Sequence, residues 1–199
     1  SGVVDPRCVV RKSGMQPGHR LILTKPLGTG TIFAAHMRLK AKGSWITGAV
    51  SSMLQSSKAA AACLRRYGVG ASTDVTGFGL IGHLAEMTKA SGVAARLRLA
   101  AGPLLDGARE TIAQGLLSSL HPQNVRLRRA VANVEEAGGA SCYPVLYDPQ
   151  TAGGLLASVP PERAEDCLAE LRQLGYLGAA IIGTVESRGD QERPISIDI

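Results

Sequence analysis

The period of apolar positions changes several times along the chain, and each change predicts an element. Leu21, Ile22 and Leu23 form a short unbroken run stopped by Pro26 and Gly28, which predicts a buried strand feeding a glycine-rich loop over residues 25–30. Thr29 or Thr31 is placed to cap a helix running through Ile32, Ala35 and Leu39. Residues 44–67 read as helix in two pieces. The second piece has strong helix formers at 59–62, Arg65 and Arg66 against the negative end of the dipole, and Gly68 as a left-handed stop. A short strand follows at 71–75, then a helix over 77–89 with Leu80, Leu84 and Met87 at i, i+4 and i+7. Gly79 and Gly82, three apart on a neighbouring face, predict close backbone packing there.

Residues 93–99 alternate, Arg96 and Arg98 on one face and Ala95, Leu97 and Leu99 on the other, as a half-wet strand does. A helix is predicted over 104–115, followed by a weakly patterned stretch to Tyr147 in which 124–136 reads as helical. Residues 154–159 predict a strand. Pro160-Pro161 then opens a helix with Ala164, Cys167, Leu168, Leu171 and Leu174 at helical spacing, ended by Gly175, before strands at 179–185 and 195–199. Strands and helices mix without strict alternation, so the fold class is α+β: a mixed or antiparallel sheet with helices packed on it. Residues 1–19 (Val3, Val4, Asp5-Pro6, Val9-Val10, ending at Pro17-Gly18) read as a linker arm, and 20–199 as the domain.

Composition narrows the function classes. With 45% hydrophobic and 19% charged residues in 199, a packed core is expected, not a disordered chain. No run approaches the roughly 18 apolar residues of a membrane span, and the first residues lack a signal-peptide layout, so the expectation is a soluble cytoplasmic protein without membrane association. Cys8, Cys63, Cys142 and Cys167 form no CxxC pair, which argues against a zinc site or a disulfide framework and makes Cys63 and Cys167 core residues. The four histidines, His19, His36, His83 and His121, show no HxxxH spacing and are not expected to bind metal. A net charge of +6 fits nucleic acid, a small anion or solubility alone; aromatics at 4%, not interleaved with the basic residues, argue against nucleic acid. Arg126, Arg128 and Arg129 are the densest basic cluster, read as a solvated face or an anion contact.

Three glycine-rich segments stand out, at 25–30, 74–79 and 148–154; the phosphate-loop pattern GxxxxGK[ST], GxGxxG and GxSxG are all absent. In the second, Asp74 leaves a strand just ahead of a glycine-opened helix. A helix N-terminus attracts phosphate, and a carboxylate beside it can hold Mg²⁺ bridging to phosphate oxygens, so Asp74 is either a cap or a metal ligand.

Residues 23–30 (LTKPLGTG), 74–84 (DVTGFGLIGHL) and 147–156 (YDPQTAGGLL), in that order and spacing, resemble the C-terminal half of the selenophosphate synthetase (selenide, water dikinase) family, within the aminoimidazole ribonucleotide synthetase superfamily. The resemblance spans essentially the whole chain. It implies that superfamily's C-terminal fold and the conversion of selenide, ATP and water to selenophosphate, AMP and phosphate with Mg²⁺. It also implies a homodimer in which N-terminal domains build a barrel. The family's reactive Cys or selenocysteine, its neighbouring Lys and most metal-binding aspartates belong to that N-terminal domain, so no catalytic residue is assigned to this chain, and residues 1–19 correspond to the last strand of that domain and its linker. Asp74 matches the family aspartate that reaches the metal-bound phosphates, and Thr76 and Gly77 are candidates to line the same pocket; residues 25–30 read as a turn beside the domain junction, with Lys25 a candidate phosphate contact. Asp148 and Gln150 either shape the cleft or form an Asx-type turn, and Ala152 stands where many relatives have Ser. The competing readings are another ATP-dependent member of the superfamily, or a non-catalytic anion-binding or regulatory domain in which Arg96, Arg98 and the 126–129 cluster act and Asp74 only caps.

Overall fold

A computed structural model describes residues 5, 9–190 and 192–199. Val3, Val4, Pro6 and Cys8 of the predicted arm lie outside the described residues. Six strands, β1 (Arg20–Leu23), β2 (Ala71–Asp74), β3 (Ala94–Arg98), β4 (Leu155–Val159), β5 (Ala180–Glu186) and β6 (Ile195–Asp198), make one sheet in the order β2-β4-β1-β5-β3-β6. Every neighbouring pair is antiparallel except β3 and β6, so the sheet is mixed.

β1 is apolar without alternation because both of its faces are covered. Leu21 and Leu23 join a cluster with Leu80, Leu84 and Met87 of α4 (Gly79–Ser91). Ile22, pointing the other way, meets Cys63 and Leu64 of α3 (Lys58–Arg66) and Cys167, Leu168 and Leu171 of α8 (Pro161–Gln173). The sheet is therefore the middle of three layers, each outer layer seated on a fully buried stripe. α1 (Thr29–Met37), α2 (Gly43–Leu54) and α5 (Ala108–Ala113) form a smaller cluster around Ile32, Ala49, Leu105 and Ala108.

The α+β class, the two-piece helix with Gly68 at φ 72° and the predicted strands are present, β2 stopping one residue short at Asp74. Four local expectations are corrected. Neither Thr29 nor Thr31 caps α1: the N-cap position is Gly28 and no side chain of the helix's own segment serves it. Leu39 lies beyond the helix, 93% exposed at φ 57°. The helix expected over 104–115 shrinks to 108–113 because Leu104 bridges to Leu27 and Gly107 turns left-handed beneath the Trp45 ring, where a Cβ would overlap it. Residues 124–136 break into α6 (His121–Asn124), a 3₁₀ spiral (Val125–Ala130) and α7 (Val134–Ala137). Among the described residues no helix is long and apolar enough to cross a membrane.

Candidate functional site

β4 lies between β1 and β2 and runs antiparallel to both, with Leu23 opposite Leu156 and Asp74 opposite Leu155. The C-terminal ends of β1 and β2 and the N-terminal end of β4 thus share one end of the sheet. The three glycine-rich segments leave from that end and meet.

The first contact is a helix cap supplied from 120 residues away. Gly28 and Thr29 donate their amides to Gln150 Oε1 at 3.0 and 3.3 Å, Gly30 donates to Asp148 Oδ2 at 3.0 Å, and Thr29 Oγ1 donates to Gln150 Oε1 while accepting from the Thr151 amide. Gln150 Nε2 in turn donates to the Asp148 carbonyl and Oδ2, at 2.8 and 2.9 Å. These bonds satisfy the orphan amides that open α1. The approach requires glycine at 30, since a Cβ there would lie 2.5 Å from the Pro149 carbonyl oxygen. Asp148 is fully buried, and desolvation pushes its carboxyl up to about 7 against the opposing pull of the Thr31, Gln150 and Gly30 hydrogen bonds. The structure therefore gives Asp148 and Gln150 a shared role as caps for α1.

Lys25 makes the second contact. It is 2% exposed, and its ammonium donates to the carbonyls of Ser52, in the last turn of α2, and Ala152, at 2.9 and 3.0 Å. Burial lowers its pKa. The chain bends at Ala152 with φ 47°, so the ammonium pins a left-handed residue of the 148–154 loop to a helix C-terminus.

The third contact holds the 74–79 loop. Val75 donates to the Gly154 carbonyl, the Gln150 and Gly79 amides donate to the Thr76 carbonyl, and Asn124 Nδ2 donates to the carbonyls of Gly77 and Tyr147. The Thr76 amide donates to His83 Nε2 at 3.1 Å, with Thr76 Oγ1 3.2 Å from the same nitrogen. An accepting Nε2 leaves the imidazole proton on Nδ1, which has no hydrogen-bond partner among the described residues and faces Glu86 Oε2 at 3.7 Å. His83 is buried, and desolvation holds its pKa below the usual histidine value. Gly79 packs on the Tyr147 backbone and Gly82 on Phe78 and Leu127, the close packing expected of them.

With its backbone held, the loop turns a small set of groups outward. Asp74 is exposed, nothing stands within 4 Å of where a Gly77 Cβ would be, Thr76 is half-buried and Phe78 is 57% exposed. The Asp74 carboxylate makes no hydrogen bond or ion pair among the described residues. It opens on a groove of about 500 Å³ whose other charged linings are Lys58 and Arg65. α4 begins five residues after Asp74 with Phe78 at its N-cap and no side-chain cap, so Asp74 is not the cap that was its alternative role. Asp74, Thr76 and Gly77 sit together; Lys25 lies behind them, its ammonium turned inward. No three His, Cys, Asp or Glu side chains among the described residues are grouped to hold a metal, and of the described residues that line this groove Asp74 brings the one carboxylate. That suits Mg²⁺, which takes one or two carboxylates and completes its shell with waters and phosphate oxygens.

His83 and Asn124 were not picked out by sequence reasoning. His83 lies within the 74–84 string and was set aside for lack of a metal-ligand spacing, whereas nothing local marks Asn124, which reaches its partner across 47 residues. Of the competing anion-binding residues, Arg96 is tied to Glu186 and Asp198 at 2.6 and 3.1 Å, and Arg98 donates to the Ile181 carbonyl.

Comparison with known proteins gives the family and the fold. Curated relatives include "Selenide, water dikinase" of Clostridioides difficile (strain 630), 34% identical over 96% of this chain and 55% of its own length, and that of Burkholderia pseudomallei (strain K96243), 39% identical over 92% and 51%. The chain thus spans about half the length of the curated relatives it matches. Among solved structures, HypE, a hydrogenase maturation protein, from E. coli superposes with a TM-score of 0.70 at 20% identity over 98% of this chain and 51% of that one. Thiamine-monophosphate kinase from Stenotrophomonas maltophilia K279a superposes with a TM-score of 0.59 at 16% identity over 98% and 54%. At such identities these two speak for the fold alone. The pattern of AIR synthase related protein, C-terminal domain, matches residues 16–195, and the chain belongs to that family.

Proposed function

We propose that this chain is the C-terminal half of a selenide, water dikinase and supplies one wall of an ATP site that an N-terminal half completes. The reaction is selenide, ATP and water to selenophosphate, AMP and phosphate. The observation that carries the reading is the Asp74 carboxylate: exposed, without a hydrogen-bond or ion-pair partner among the described residues, and presented by a loop whose backbone is clamped by His83, Gln150 and Asn124. In this reading Asp74 is the chain's ligand to Mg²⁺ held on the ATP phosphates, and Thr76 and Gly77 line the same pocket. Gly77 leaves room for the phosphate chain to approach the backbone. Bound Mg²⁺ supplies neutralisation of charge on the transferring phosphoryl group. The residues of this chain orient that charge and hold the loop still; Lys25, facing inward, acts by fixing the 148–154 loop.

Residues 1–19 are then the linker from the N-terminal domain, 20–199 the C-terminal domain, and the whole protein a cytoplasmic homodimer. The selenide, water dikinase reading itself is supported by relatives 34–39% identical over 92–98% of this chain, each named a selenide, water dikinase. The test is Asp74→Asn in the whole protein, followed by selenide-dependent ATP consumption at varied Mg²⁺. Asn keeps the size and removes the charge, so the expected result is a rate loss of at least about 100-fold with the melting temperature unchanged. An unaltered rate and Mg²⁺ dependence would remove Asp74 from the site.

A further inference from the structure

The 3₁₀ spiral and the β5–β6 connection bring four arginines to one groove. Arg126, Arg128 and Arg129 come from the spiral and Arg193 from residues 187–194, and the groove they line is about 710 Å³. All four are exposed. In a 3₁₀ spiral residues three apart eclipse, so Arg126 and Arg129 share a face. The spiral is anchored by Leu127, against which Gly82 of α4 packs, and by Asn124 just ahead of it, whose amide holds Gly77 and Tyr147.

The charges in this groove are not neutralised internally. None of the four arginines makes an ion pair among the described residues, whereas Arg66 and Arg96 elsewhere on the surface do. Two carboxylates, Glu135 and Glu136, line the same groove without pairing with the arginines; both lie in the first turn of α7, and Glu136 Oε2 accepts from Asn133 at 3.4 Å. Four guanidinium groups against two carboxylates leave the groove at +2. A singly charged anion meets a groove whose net charge the glutamates have cut to +2, and it is too small to engage all four arginines. An anion with several closely spaced charges, each able to take a two-pronged guanidinium contact, gains from every arginine at once. No aromatic residue lines the groove, so no surface is offered to a base. We infer that this groove is a binding site for an oligophosphate, recognised through its phosphates and not through any attached base. It shares no lining residue with the groove that holds Asp74, and the inference stands apart from the proposed reaction.

The test is calorimetric titration of the chain with sodium tripolyphosphate at low salt without divalent cations. Parallel titrations use ATP and orthophosphate. The expected result is saturable binding of tripolyphosphate that weakens at least tenfold in Arg126→Gln/Arg129→Gln and in Arg193→Gln. In Lys40→Gln/Lys89→Gln, which removes the same charge from exposed positions elsewhere, affinity should hold within about twofold. Affinity should fall steeply with added salt, and orthophosphate should bind at least tenfold more weakly. ATP matching tripolyphosphate in affinity and in loss with the arginines identifies a nucleotide tail as the source of the phosphates; tripolyphosphate binding alone identifies an inorganic chain. Equal affinity in the arginine variants, an equal loss in the lysine variant, or no saturable binding would overturn the inference. All these positions are on the surface, so the variants keep the fold and the comparison stays readable.

Discussion

Asp148 and His83 titrate in opposite senses, although both are buried polar residues that hold a loop. Asp148 is pushed up to about 7 in the folded state by desolvation, against roughly 4 when unfolded. Between those values the folded chain keeps a proton that the unfolded chain releases, so this group's contribution to stability falls as pH rises from about 4 to 7 and is level above. His19, His83 and His121 are all lowered by burial. For them the unfolded state binds the extra proton, so their contribution is intact above about 6.5 and is lost as pH falls below it. Asp148→Asn isolates the first effect, since Asn resembles the protonated acid and can still accept from Gly30. The stability of the variant relative to the parent should improve by more than about 1 kcal/mol between pH 5 and pH 8. The histidines cancel in that difference. Parallel stability curves would mean that Asp148 is ionised throughout the range.

For α1 the helix start lies in another part of the chain. Removing Gln150 Oε1 strips the acceptor from the Gly28 and Thr29 amides and the Thr29 hydroxyl together. Gln150→Ala should therefore cost about 1–3 kcal/mol, the range for buried donors left unmade, and amide exchange should accelerate first at 28–30. A loss below about 0.5 kcal/mol would show that water replaces the side chain freely. This is also why the residues around 28–31 do not by themselves reveal how α1 starts. β1, α3 and α8 carry their instructions locally, in an unbroken apolar run, in Arg65, Arg66 and Gly68, and in Pro160-Pro161 followed by a helical stripe. The start of α1 rests on side chains about 120 residues away, and the broken stretch from 121 to 147 is pinned by contacts such as Asn124 to Gly77, which no local period encodes. The candidate site was legible as three strings and as Asp74. Its clamp was not, because His83 and Asn124 act through a few hydrogen bonds, chiefly to backbone atoms, that leave no pattern in the sequence.

At the scale of the whole molecule, folding and chemistry separate. The sheet is buried on two faces, with Leu21, Leu23 and Leu156 in one cluster and Ile22, Ala157 and Val159 in the other, and the described cysteines, 63, 142 and 167, are buried as free thiols. Such a core folds without a staple. The chain by itself should therefore melt in one cooperative transition, and thiol reagents should reach Cys63 and Cys167 only on unfolding. Phosphoryl transfer is another matter, since it needs several charges converging on the phosphates. The described residues bring one carboxylate, Asp74, with Lys58 and Arg65 lining its groove, and no grouped metal ligands. The isolated chain should thus produce no AMP from ATP above background, with or without selenide and Mg²⁺, while remaining folded. In the whole protein turnover should appear and should be lost again in Asp74→Asn. Robust Mg²⁺-dependent AMP production by the 199 residues alone would place the full set of catalytic charges within this chain, and the division between two halves would be wrong.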